Sequence, residues 1–369
     1  MTAALAPIGY GERPAAVRAR LDGDILIVST PSNVRWLTGF GGTLGWVVVG
    51  PDRLALVTDG RYAERAAADM TAAGVDAEVV VGRTRPEIRD LVVATAGSGH
   101  RVLAEAAHLS HAAWTDFAKD LTLEPDAGTI TSLRRVKDDG EVARIARAAE
   151  IADTALAHIA PSLGDRVTER DVRDQLDQRM RRLGADGLSY EPIVASGPQL
   201  AARPHHQTGR RSIVEGDTVI IDVGALVDGY HSDMTRTFVV GEPSAQQCEL
   251  YDLVLAAQRA GLAAVTAGLP ARELDATCRG VFEDAGYGEW FLHGTGHGVG
   301  LDIHEDPFAA RASNDELVAG DVVTVEPGLY REGFGGIRIE DLVTVTPTGC
   351  RILTTLPKDS PCLPSPPTT

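Results

Sequence analysis

The chain has 369 residues, 44% apolar and 24% charged, enough for one large core or two ordinary domains and globular in texture. Acidic residues outnumber basic ones by 52 to 35, and the formal charge of −17 argues against binding to nucleic-acid phosphates or to an anionic membrane surface. No apolar run approaches the roughly 20 residues that span a bilayer, and the first ten residues lack the basic-then-apolar layout of a signal peptide. Cys248, Cys278, Cys350 and Cys362 are too scattered for a C-x-x-C or zinc-finger pattern. They read as isolated thiols, which points to a reducing, cytoplasmic compartment.

Residues 24–30 (DILIVST), 45–49 (GWVVV) and 54–58 (LALVT) read as strands, and the alanine-rich 61–70 as a helix. A short strand over 79–82 and a helix over 87–94 continue an α/β layer domain that ends near residue 130. The texture then changes. Leu133, Val136, Val142, Ile145, Ala149 and Ala152 recur at helical intervals, so one or two helices occupy 132–159, with Asp138, Asp139 and Gly140 as a break and N-cap. We place the domains at 1–132 and 133–369. A helix is predicted over 169–183, closing at Gly184. Beyond Tyr190 the pattern is mostly strand, with helices over 245–267 and 272–285. The tail after Leu356, with five prolines including Pro366 and Pro367, reads as irregular.

The second domain contains an echo. Residues 215–224 (EGDTVIIDVG) match 319–328 (AGDVVTVEPG), so that Gly216 falls on Gly320, Asp217 on Asp321, Asp222 on Glu326 and Gly224 on Gly328. Each segment is a Gly-Asp turn feeding an apolar strand that ends in a carboxylate beside a glycine. This predicts a domain of two related halves with a site where they face each other.

Asp228-Gly229 is a two-residue turn signal between apolar, β-prone runs. If it forms the turn, Asp222 lies opposite Thr235, and Asp233 shares a strand face with Asp222 as its diagonal neighbour. Two carboxylates on one face of an apolar hairpin repel unless something positive sits between them. The second half offers Glu326 at the end of the echo strand and Glu340 in the apolar run 337–345. Three of the chain's ten histidines, His293, His297 and His304, fall in the glycine-rich stretch LHGTGHGVGLDIHE. Its glycines disfavour a helix and let backbone approach a site closely. Four carboxylates and a histidine, without cysteine, suit hard or borderline divalent cations: Mn²⁺ first, with Co²⁺ or Zn²⁺ as alternatives. Two ions about 3.5–4 Å apart would balance the charge and acidify a shared water into a nucleophile. There is no P-loop, Rossmann fingerprint, H-E-x-x-H or G-x-S-x-G.

These residues resemble a known family. ARPHH at 202–206, IDVGALVDGYHSDMTRTF, HGTGHGVGLDIHE, VEPGLY and GGIRIED look like the five signatures of the "pita-bread" metallopeptidases. That family includes Xaa-Pro aminopeptidases (aminopeptidase P), Xaa-Pro dipeptidases (prolidases) and methionine aminopeptidases. NVRWLTGF at 33–40 and TDGRY at 58–62 are similar to the amino-terminal domain of aminopeptidase P, prolidase and creatinase, which common methionine aminopeptidases lack. The resemblance implies an α/β creatinase-N-like domain followed by an α+β pita-bread catalytic domain with a pseudo-two-fold internal repeat. It implies Asp222, Asp233, His297, Glu326 and Glu340 as ligands of two divalent ions, with Glu326 as general acid/base. His205, His293 and His304 match the family's substrate-binding histidines, and Arg338, on the strand face of Glu340, would steady a ligating carboxylate. It further implies a homodimer and a peptide substrate with proline at its second position.

Some residues stay open at this stage. His206 is adjacent to His205, and either could turn inward; Tyr330, Tyr230, Arg203 and His231 suit packing or solvent as readily as catalysis. One departure stands out. Many prolidases of the family carry an arginine just after the H-E-x-P segment to grip a dipeptide carboxylate, and here Phe308 occupies that place. This favours aminopeptidase P action on longer peptides over prolidase action, with a non-peptidase amidohydrolase as a less favoured alternative.

Overall fold

A computed structural model describes residues 4–364, so Pro366 and Pro367 lie outside the described residues. The chain divides into two compact units: Pro7–Arg134, and the residues from Arg135 onward together with residues 4–6.

The first unit is built on six strands, β1 (Ile25–Val28), β2 (Trp46–Val49), β3 (Leu54–Asp59), β4 (Glu78–Gly82), β5 (Val102–Ala104) and β6 (Leu123–Pro125), in the order β4-β3-β2-β1-β5-β6. Pairing is antiparallel from β1 to β3 and parallel elsewhere, a mixed sheet. Its helices are α1 (Arg13–Leu21), α2 (Pro31–Thr38), α3 (Ala63–Ala73), α4 (Arg85–Ala96), α5 (His111–Phe117) and α6 (Thr129–Arg134). α4 covers β1 to β4 with Ile88 and Val92 in the core. The reading of 24–30 as one strand overran: Pro31 opens α2, because proline suits the first turn of a helix and cannot extend a ladder. α1, α2, α5 and the short β5 and β6 carried too few turns or residues to show a period.

The second unit repeats one pattern twice. α7 (Asp139–Ile159), α8 (Glu169–Arg182), β7 (Gly187–Leu188), β8 (Ile193–Ser196) and the one-turn α9 (Gly197–Leu200) lead into β9 (Thr218–Asp222), β10 (Ala225–Val227), β11 (Tyr230–His231) and β12 (Thr235–Val239). α10 (Ala245–Ala264), α11 (Ala271–Asp284), β13 (Gly296–Gly298) and β14 (Glu305–Ala309) lead likewise into β15 (Val322–Val325), β16 (Gly328–Arg331), β17 (Gly335–Arg338) and β18 (Asp341–Thr346), with β19 (Gly349–Ile352) at the edge. β9 sits between β8 and β12, as β15 sits between β13 and β18. The echo noted in the sequence is therefore a repeat of whole structure, and the fold is a creatinase-N-like α/β domain plus a catalytic domain with an internal repeat.

Sharp helix starts fix where each half begins. Asp138 caps α7 in a capping box with Glu141, Thr168 caps α8 with Asp171, and Ser244 caps α10 with Gln247. The apolar stripe of α7 and α8 packs on β9 and β12 through Ile151, Leu156, Leu176, Val219 and Phe238. The described part of the tail is irregular, as its prolines suggested, and hydrogen bonds tie it down: Leu356 O accepts from the buried Arg236 guanidinium, and Val239 N donates to Pro361 O. Among the described residues no helix is long and apolar enough to cross a membrane.

Candidate metal centre and active site

Two hairpins build the site. β9 pairs with β12 so that Asp222 lies opposite Thr235, and β10 and β11 hold the same register to the turn. Asp228 and Gly229 both adopt positive φ there, 47° and 74°, the type I′ turn that matches strand twist. In the second hairpin Val325 pairs with Asp341 and Gly328 with Arg338, which sets Glu326 opposite Glu340.

The four carboxylates converge. Oxygens of Asp222, Asp233 and Glu340 lie within 4.8 Å of one another. His297 Nε2 is 3.5 Å from both Asp233 Oδ2 and Glu326 Oε1. Its Nδ1 is 3.0 Å from the Gly298 carbonyl, which can only accept, so the proton sits on Nδ1 and the Nε2 lone pair faces two carboxylates. Burial lowers the His297 pKa and keeps the ring neutral. A lone pair aimed at anions is the arrangement of a metal ligand, and the donor set fits divalent cations.

Electrostatics support that fit. Burial, then repulsion from the neighbouring acids, pushes the Asp233 and Glu340 carboxyls well above the usual carboxylate range. Burial also raises Glu326, against the partly offsetting pull of His293 and Arg338. Neutral groups share out the remaining lone pairs. Thr235 Oγ1 donates to Glu340 Oε2 at 2.7 Å, and Thr324 Oγ1 donates to Glu326 Oε1 at 3.2 Å. Arg338 Nη2 donates to Asp222 Oδ2 at 2.7 Å, while its other donors reach Thr235 Oγ1, Tyr330 OH and Pro204 O at 2.9 Å each.

All nine residues singled out from sequence line one cavity of about 480 Å³: Asp222, Asp233, His297, Glu326, Glu340, His205, His293, His304 and Arg338. His304 packs edge-on against His297, ring centroids 4.4 Å apart, at the open side of the pocket. His205 faces the pocket, and His206 turns away to Glu169. His231 bonds Ser189 Oγ at 2.9 Å rather than lining the pocket.

His293 lines the pocket with both ring nitrogens engaged inside the protein. Nδ1 lies 2.7 Å from Gly294 O and Nε2 2.9 Å from Tyr330 OH, and burial keeps the ring neutral. Nδ1–H therefore donates to the carbonyl, Nε2 accepts from the tyrosine, and no donor is left for a substrate. Tyr330, undecided from sequence, is thus the link between Arg338 and His293. Tyr190 was missed altogether: its hydroxyl donates to Asp222 and Asp233. One phenol proton serves only one of them at a time. No local pattern marks a tyrosine that reaches an acid on another strand.

The comparisons agree with this architecture. Residues 143–347 match the model of metallopeptidase family M24, and residues 16–136 match the creatinase/prolidase N-terminal domain. The chain belongs to metallopeptidase family M24. It is 41% identical over 225 residues to an Xaa-Pro dipeptidase of Pyrococcus furiosus, across 61% of this chain and 64% of that one. Its structure matches an Xaa-Pro dipeptidase from Bacillus anthracis with TM-score 0.90 and 37% identity, over 95% of this chain and 99% of the other. An X-Pro aminopeptidase from Thermotoga maritima matches with TM-score 0.85 and 31% identity, over 93% and 98%.

Proposed function

We propose that this chain hydrolyses the peptide bond preceding a proline at a peptide amino terminus, with Xaa-Pro dipeptides as its main substrates. The observation that carries the peptidase reading is the convergence of four carboxylates, two buried and two half-buried, and a neutral histidine in one pocket of small-peptide size. The dipeptide preference rests on the relatives, since both the 41%-identical protein and the structure matched at TM-score 0.90 are named Xaa-Pro dipeptidases.

Asp222, Asp233, His297, Glu326 and Glu340 would hold two divalent ions, Mn²⁺ best suited to so oxygen-rich a set. Such ions supply an acidified water as nucleophile and Lewis-acid polarisation of the carbonyl. The protein's own groups handle the protons. Glu326 has one oxygen held by Thr324 and its basicity raised by burial, which suits it to take a proton from the water and return it to the leaving amine. Proline's nitrogen has no N–H in the peptide and leaves as a secondary amine, so that proton delivery is essential to bond cleavage. His205 and His304 would donate to the oxyanion that develops on the scissile carbonyl. His293 and Tyr330 orient Arg338, which holds Asp222 in place.

A second reading, aminopeptidase action on longer peptides, is favoured by one observation. Among the described residues Arg338 is the only arginine or lysine lining the pocket, and it is committed to Asp222, Thr235, Tyr330 and Pro204. Phe308, half exposed at the rim, offers a dipeptide carboxylate no cation. Mass spectrometry of parallel Gly-Pro and Xaa-Pro-Pro digests with added Mn²⁺ separates the two. Faster dipeptide turnover is the expected result, tripeptide-only cleavage establishes the second reading, and cleavage of neither sinks both in favour of a different amide substrate.

A further inference from the structure

Glu169 opens α8 with its carboxylate fully buried. Burying a carboxylate is costly unless its lone pairs are filled. Here four donors fill them, and none belongs to its own helix. Oε1 accepts from Ser196 N at 2.9 Å and from Ser196 Oγ at 2.7 Å. Oε2 accepts from His206 Nε2 and Gly209 N, both at 3.1 Å.

These donors come from the two segments that frame the pocket. Ser196 ends β8, whose Ile193 lines the cavity, while His206 and Gly209 lie in the loop that presents His205. In the bend that carries them, the two histidines part: His205 lines the pocket, and His206 bonds Glu169. With His206 drawn back onto Glu169, His205 is directed forward into the pocket. The residue before it is fixed as well, because Pro204 O accepts from Arg338 Nη1.

The second half holds a counterpart that clarifies the role. Asp275 on α11 accepts from Thr295 N at 3.1 Å and Thr295 Oγ1 at 3.2 Å, as Glu169 accepts from Ser196. Its remaining capacity goes to Arg279, and no histidine enters that bond. Each half therefore anchors its pocket wall with a buried acid on its second helix, and only the first half extends the anchor to a histidine.

We propose that Glu169 is a positioning residue that, through His206, sets the orientation of His205 toward the substrate; this rests on His205 being a substrate-contacting group. The test is a double-mutant cycle in the Mn²⁺-loaded full chain. His206→Ala should lower kcat/KM about tenfold or more, and His206→Gln, whose amide can donate the same bond, should recover most of it. In a His205→Ala background, His206→Ala should add nothing, while bound Mn²⁺ per chain stays constant throughout. Additive losses, or parallel loss of Mn²⁺, would overturn the proposal. Histidine-selective ¹⁵N spectra give a readout independent of turnover: Glu169→Gln should shift the ring signals of both His206 and His205. An unmoved His205 signal refutes the positioning role whichever peptide is cleaved. A moved signal in a protein that cleaves no Xaa-Pro peptide upholds it and sinks only the assigned activity.

Discussion

The two halves of the catalytic unit share a topology and differ in how each turn closes. The first hairpin closes on two residues, Asp228 and Gly229; the second pairs Arg331 with Gly335 and so leaves three in its turn. Asp222 and Glu326 hold matching places, yet Asp222 faces Thr235 while Glu326 faces Glu340. Thr235 and Glu340 are therefore equivalent positions, and so are Arg236 and Asp341. Equivalent positions meet: Thr235 Oγ1 bonds Glu340, and the Arg236 guanidinium pairs with Asp341 at 2.9 Å, both side chains buried. The repeat thus keeps the ladder and varies the charge. Hydroxyl opposes carboxylate and guanidinium opposes carboxylate along the line where four acids already crowd together. The missing first-half acid comes instead from Asp233, two residues earlier, where Gly224 leaves room for the chain.

Breaking one acid per half tests this division most severely. Asp233→Asn and Glu340→Gln should each lower kcat/KM by on the order of 10³ and reduce bound metal, measured by steady-state kinetics and atomic emission. A variant from one half that keeps full metal content would show the halves to be unequal.

The echo glycines should separate fold from function. A Cβ at Gly224 would lie 1.9 Å from Ser232 O, whereas one at Gly328 would first meet the Tyr330 hydroxyl, at 2.6 Å. Gly224→Ala should cost about 3 kcal/mol in denaturant titration because backbone must move. Gly328→Ala should spare more stability but displace Tyr330 from Arg338 and His293, lowering kcat. Equal stability losses would contradict the distinction.

Metal removal should expose the repulsion shared between halves. The folded-state pKa values of Asp233 and Glu340 lie above their unfolded values, through burial first and repulsion second. Their stabilising contribution is thus complete below the ordinary carboxylate range and is lost as pH rises through the folded values. Chelated protein should melt at falling temperature as pH rises above the ordinary carboxylate range, and Mn²⁺ should flatten that slope in calorimetry. The smallest effect expected is at the rim: Phe308→Arg should improve dipeptide over tripeptide cleavage by about tenfold, through a carboxylate contact.

Much of the site's layout was readable because it depends on short-range rules. Strand alternation and the Asp-Gly turn set which residues share a face, so Asp222 and Asp233 could be placed together from sequence numbering. The echo carried the same logic to Glu326, and the glycine-rich stretch located the histidines. Its reach ended where local pattern ends. Tyr190 reaches two aspartates from a separate segment, and Glu169 reaches His206 from a helix. The pairing of Arg236 with Asp341 likewise exists only once the halves face each other. The bond between His293 and Tyr330 was hidden for the same reason, since it joins a loop to a strand 37 residues further along the chain.

The leaning toward longer peptides, drawn from Phe308 alone, now stands against relatives named as dipeptidases, and the paired assay decides it. Sequence by itself determined the register of the first hairpin, the family signatures and the candidate acids, because each follows from period, turn chemistry or residue type. Tertiary structure alone decided which acids lose their solvent, which histidine nitrogen keeps its proton, and whether His205 or His206 faces the pocket. Those outcomes depend on burial and on hydrogen-bond partners distant in the chain, and neither is a property of any local segment.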